Sequence, residues 1–96
     1  MKHLIVEVVE VKGRCAAGYN VGDKFEVNQN VSLDGDKICY FAVSSLMPAL
    51  LALQLGNNPK SIGLSRDEGA AYMQCSDIGH PYTPGGTVIF KIYNKF

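Results

Sequence analysis

Three cysteines carry the chemistry on offer in this chain: Cys15 in Gly-Arg-Cys-Ala-Ala-Gly, Cys39 in Asp-Lys-Ile-Cys-Tyr and Cys75 in Gln-Cys-Ser-Asp. A thiolate is both a strong nucleophile and a soft metal ligand, so three that converge in space would make a site. A structural zinc or iron centre wants four Cys or His ligands, usually as two close pairs. No such pair is present here. Only Cys75 and His80 lie near ligand spacing, so a centre built from Cys15, Cys39, Cys75 and His80 would have to be assembled by tertiary folding. The competing reading treats each free cysteine as a small buried hydrophobe.

Thiol catalysis is the next possibility. A cysteine at a helix N-terminus has its thiolate stabilised by unpaired amides and the helix dipole. Cys39 fits if a helix begins near Asp36, although Asp34 and Asp36 oppose the effect and Tyr40 and Phe41 suggest burial. A Cys39 nucleophile with a histidine base would need His3, at the start of the first strand, beside that helix start. No Cys-x-x-Cys exists, which excludes thioredoxin-type dithiol exchange. The densest polar group set is Cys75, Asp77, His80 and Tyr82, on one Pro- and Gly-bounded loop that can bind a small ligand or position a general base. Asp and Tyr satisfying loop backbone groups is the plainer account. On this reading Cys75 is expected to face a ligand and Cys39 to be core.

The glycines add no phosphate site. Gly13, Gly18 and Gly22 are followed by no Gly-Lys-Ser/Thr and open no helix, so they read as turn residues. Nine basic residues balance nine acidic ones in 96, which argues against a nucleic-acid or anionic-membrane partner. An odd cysteine count cannot close into intramolecular disulfides, and the N-terminal residues make no secretory signal, so the cytoplasm is expected. Asn30-Val31-Ser32 matches a glycosylation acceptor by chance on the same grounds.

The elements that must position these residues form a single domain, residues 1–96, of the α+β class. Leu4–Val11 is a β-branched run with two partly apolar faces, the mark of an interior strand. Lys24–Val27 alternates polar and apolar, and Thr87–Tyr93 places Val88, Phe90 and Ile92 on one face after Gly85-Gly86. Ala70–Cys75 suits a strand better than the helix suggested by the capping box Ser65-Arg-Asp-Glu68. Ile38–Leu53 carries no charge and reads as one apolar helix, kinked where Pro48 removes the bond to the carbonyl of Ser44. Asp34 and Asp36 are its N-cap candidates and Gly56 its stop; the alternative is a shorter helix capped by Ser45. The run is too short for a membrane span, which needs about 20 apolar residues. A mostly antiparallel sheet of about four strands, covered by that helix, follows.

Cys15-Ala-Ala-Gly18, Val21-Gly22-Asp23, Gly35, Ile38-Cys39, Pro48, Leu53, Gly56 and Cys75-Ser-Asp77, with the final Val-Ile-Phe strand, resemble a family of short uncharacterised bacterial and archaeal proteins. The resemblance runs almost the full length and implies a small single domain rather than a reaction. It departs at Tyr19 and Ser76, where relatives often carry His and Pro. A metal site relying on histidine at position 19 would not be intact here.

Three functions follow as expectations. The first is a small cytoplasmic binding module with mainly structural cysteines, homodimeric through the helix because one sheet face cannot cover apolar residues on several helix faces. The second is a metal-binding or redox-linked protein using Cys15, Cys39, Cys75 and His80. The third is a cysteine-dependent enzyme with Cys39 as nucleophile.

Overall fold

The structure is a computed structural model that describes residues 1–66 and 69–95. Its order is β1 (Leu4–Lys12), β2 (Lys24–Val27), β3 (Leu33–Asp34), α1 (Tyr40–Gln54), β4 (Ala71–Gln74) and β5 (Thr87–Asn94). The strands form one sheet in the order β3-β2-β1-β5-β4, every neighbouring pair antiparallel. The α+β class and the covering helix are as expected, with five strands in place of four.

Alternation places the core. Leu4, Val6 and Val8 of β1, Phe25 and Val27 of β2, and Val88, Phe90 and Ile92 of β5 turn to one face. There they meet Ala42, Val43, Leu46, Leu50 and Leu53 of α1. Each large side chain buried in this way stabilises the fold by about 1.5–3 kcal/mol. The register of β1 against β5 slips by one residue between Val8 and Glu10. Without that bulge Val11 would face outward; with it Val11 pairs with Val88 and packs on the core.

The fifth strand, β3, is two residues long and was hidden by its brevity. A tight turn makes it: Asn28 N–H donates to the Ser32 carbonyl at 2.8 Å, and Val31 takes a positive φ of 58°. Asp34 then pairs with Glu26 as a strand residue and does not cap the helix. Nor does Asp36. The residue preceding α1 is Cys39, extended at φ −84°, ψ 116° and with no side-chain cap hydrogen bond. Gly35 is required next to β3, since a Cβ there would lie 2.8 Å from the Cβ of Phe25.

The helix is one element through Pro48, so the shorter Ser45-capped helix is not formed. Ser44 and Pro48 both lie on the exposed side, where water can serve the carbonyl that proline leaves without a donor. At the other end Gly56 takes φ +94° and donates to the Leu53 carbonyl, ending the helix where its sequence suggests. The capping box from Ser65 includes Asp67 and Glu68, which lie outside the described residues, and the strand reading of the next segment holds as β4. No helix among the described residues is long and apolar enough to cross a membrane.

Candidate functional site

Because β2 pairs only with the first half of β1, from Leu4 to Glu7, the second half of β1 runs past it. The loop from Gly13 to Asp23 fills the gap and folds back, with Gly22 N–H donating to the Val8 carbonyl at 2.9 Å. Cys15 sits at a turn closed by Gly18 N–H on its carbonyl, 3.0 Å. Tyr19 then enters the core, 5% exposed, with its ring edge-on to Phe90 at 5.8 Å and 88°.

The Tyr19 hydroxyl is a polar tie between two loops. It donates to the Lys37 carbonyl at 3.1 Å and accepts the backbone N–H of Cys39 at 3.0 Å. Burial pushes this phenol upward, against the opposing Cys39 N–H, so it stays a neutral donor. Lys37 reinforces the tie from outside, reaching the Gly18 carbonyl at 2.9 Å and Asp23 at 3.1 Å. The Asn20 N–H and then Lys37 hold the Asp23 carboxyl below its ordinary value. Cys15 and Cys39 are thereby set on adjoining loops.

Cys75 follows β4 and comes to the same place from the other side. Its N–H donates to the Val88 carbonyl at 3.0 Å, and its sulfur accepts Val88 N–H at 3.4 Å and donates to the Gly86 carbonyl at 3.9 Å. Gly86 has no room for a Cβ, which would strike the Lys12 carbonyl and the Arg14 nitrogen. That close approach keeps the start of β5 against the end of β1. Ser76 N–H on Ser45 Oγ, 3.1 Å, pins the following loop to α1.

All three cysteines line one pocket with a volume of ≈ 430 Å³. Four aromatic rings share its wall: Tyr19, Phe90, Phe41 and Tyr40. Phe90 is fully buried, whereas Tyr40 is 87% exposed and belongs to the mouth. Val88, Ile38 and Ala42 complete an apolar surface, and Asp77 lies on its rim. The space is of the size and character that takes a small molecule.

The individual expectations fare differently. Cys75 is buried and Cys15 and Cys39 only partly so, the reverse of the expected order for Cys39 and Cys75. The reason is the backbone: the Val88 N–H and the Gly86 carbonyl hold the Cys75 sulfur at the start of β5, while Cys39 stands between the exposed side chains of Ile38 and Tyr40 at the start of α1. Asp77 accepts the Gly79 N–H at 2.9 Å and the Thr83 hydroxyl, which hold its carboxyl below the ordinary value, Thr83 first. His80, in a cis bond to Pro81, and Tyr82 are exposed and line no part of the pocket. Of the loop set Cys75, Asp77, His80 and Tyr82, the first two line this pocket and the last two do not.

Nor is a metal centre formed. Among the described residues no group of three or more His, Cys, Asp or Glu side chains stands close enough to hold an ion. Cys15, Cys39 and Cys75 share a cavity wall without sharing a centre, and His80 is outside it. The Cys39–His3 dyad fails for a simpler reason. Cys39 stands at one end of a 15-residue helix, about 22 Å long at 1.5 Å per residue. His3 is near the other end, beside Lys2 whose N–H donates to Gln54, and its Nε2 is 2.5 Å from Glu26 Oε1.

Sequence reasoning missed Tyr19, treating it as the loss of a histidine. The available signal was a lone aromatic residue inside a Gly- and Ala-rich loop that has to fold back over a strand. Compared with protein-family models, curated proteins and solved structures, the chain matches none.

Proposed function

We propose that this protein is a small binding module that holds an apolar small molecule in the three-cysteine pocket. One observation carries the reading: every cysteine of the chain and four aromatic rings line a single apolar cavity of ≈ 430 Å³. In this role the thiols are mainly structural, supplying a soft, polarizable wall. Cys75 is held by Val88 and Gly86, leaving Cys15 and Cys39 as the thiols a ligand would shield. Free thiols suit a reducing compartment, and the cytoplasm is the proposed location.

The test is a footprint. Alkylation by N-ethylmaleimide, followed by mass spectrometry, is expected to slow at both Cys15 and Cys39 when 3-phenylpropan-1-ol is added to saturation. Unchanged rates at both residues would remove the pocket as its binding site.

A second reading concerns assembly. Tyr40, Met47 and Leu51 form an exposed stripe on α1, continued by Leu55 just past its end, at helical spacing and without a charge. Beside it Val31 and Leu33 complete an apolar groove with Pro48. We propose that a second copy covers this stripe, since an uncharged helix face meets its own copy without repulsion. Sedimentation equilibrium is expected to give a dimer that the pair Met47→Lys and Leu51→Lys converts to monomer. A wild-type monomer at 100 μM would be evidence against it.

A further inference from the structure

The pocket can be asked which ligand its polar groups have capacity left to recognise, an inference that rests on the pocket reading above. The Tyr19 hydroxyl is used twice, as donor to Lys37 and acceptor from Cys39. The Cys75 sulfur is likewise engaged by Val88 and Gly86. Tyr40 stands at the mouth in contact with water.

Asp77 differs from these. It is the one charged side chain among the described residues lining the pocket. Both of its side-chain hydrogen bonds, from Gly79 N–H and the Thr83 hydroxyl, fall on Oδ1. Oδ2 lies over Gly85, whose missing side chain leaves it room, and accepts no hydrogen bond among the described residues. No lysine, arginine or histidine among them forms an ion pair with this carboxylate. The nearby cation Lys37 is engaged elsewhere, on Asp23 and Gly18. An apolar cavity with aromatic walls thus has one carboxylate in its lining, and that carboxylate has no ion-pair partner among the described residues.

We propose that the ligand is an apolar molecule bearing one cationic group, an organic ammonium, whose body fills the aromatic and thiol-lined space while its charge meets the Asp77 carboxylate. The aromatic faces of Tyr40 and Phe41 near the mouth favour a cation as well. An anionic ligand would find no positive partner in the wall and would face the carboxylate.

Three compounds with one carbon skeleton separate the possibilities: 3-phenylpropylamine, 3-phenylpropan-1-ol and 3-phenylpropanoate, titrated into the wild-type protein at pH 7 and followed by NMR. The amine is expected to bind about tenfold or more tightly than the carboxylate, a difference of about 1.4 kcal/mol, with the alcohol between them. Raising NaCl from 0.05 to 0.5 M should narrow the spread, because a partly exposed charge is screened. Asp77→Asn keeps an oxygen for Gly79 and Thr83 and should bring amine and alcohol within about twofold. Equal wild-type binding of amine and alcohol would overturn the cation assignment and leave the pocket reading standing. Failure of all three to bind would overturn both. If Asp77→Asn does not fold, the wild-type salt series decides, and a preference that salt leaves untouched counts against Asp77.

Discussion

The two ends of α1 meet the sheet under opposite rules. At the C-terminal end Gln54 is 3% exposed, and its side-chain amide donates to the carbonyls of Lys2 and Asn28 at 3.2 and 2.9 Å. Its own carbonyl accepts Lys2 N–H at 2.8 Å. The junction is tied through both the backbone and the side chain of Gln54, and the cleft beside it is lined mainly by polar side chains, among them Lys2, His3, Gln29 and Asn94. At the N-terminal end Cys39 caps the helix with no side-chain bond, Tyr19 ties its backbone to the Cys15 loop, and an apolar space remains. A small domain can hold a cavity at one end of its helix if the other end is locked, because the locked end fixes where the helix lies on the sheet. Hydrogen bonds lock the helix to the sheet at Gln54, whereas the space beside Cys39 is walled by apolar and aromatic groups.

The largest expected effect that tests this contrast is at the locked end. Gln54→Leu keeps the volume but leaves the Lys2 and Asn28 carbonyls without their side-chain donor, and should cost about 1–3 kcal/mol in denaturant unfolding. Tyr19→Phe at the open end removes one donor and one acceptor that water can replace through the pocket, and should cost about 0.5–1.5 kcal/mol. If Tyr19→Phe proves the more damaging, the open end is no less a structural lock than the other and the comparison breaks.

The smallest effect is the response to acid. Asp77, Asp23 and Glu26 are all held below their ordinary values, by Thr83, by the Asn20 N–H and by Lys95 respectively. A carboxylate lowered in the folded state contributes stability above its unfolded value, and that contribution fades as pH falls through the folded one. Thermal stability should therefore hold from pH 7 to about 5 and decline below about pH 4. Asp77→Asn should shallow that decline, because it removes one of the three protonations. An acid limb that this variant leaves unchanged would show that Asp77 gains nothing from Thr83.

Much of this architecture was legible in residue patterns. The β-branched run at Leu4–Val11, the alternation at Val88, Phe90 and Ile92, and the stop at Gly56 are local signals that burial and helix geometry reward directly. β3 was not legible, because two residues carry no period and their pairing depends on the turn at Asn28–Ser32. The start of α1 was shifted for a related reason: Asp34 is committed to β3, so the obvious cap residue is spent before the helix begins. The three cysteines lie at the edges of three different elements: Cys15 in the β1–β2 loop, Cys39 just before α1 and Cys75 just after β4. Whether those edges meet depends on Tyr19 and Gly86, one filling a gap and the other permitting a close approach, and neither role has a sequence period. The loop from Asp77 to Tyr82 drew attention by residue type, yet only Asp77 reaches the pocket. Polar density along a chain marks a turn as readily as a site.

The open end of α1 is the proposed binding site, and isotope-filtered NMR on uniformly labelled protein with unlabelled 3-phenylpropylamine locates the ligand there or elsewhere. Nuclear Overhauser contacts are expected from the phenyl ring to the side chains of Cys15, Cys39, Phe90 and Val88. Contacts confined to the groove of Met47 and Leu51, or to the surroundings of Gln54, would contradict it.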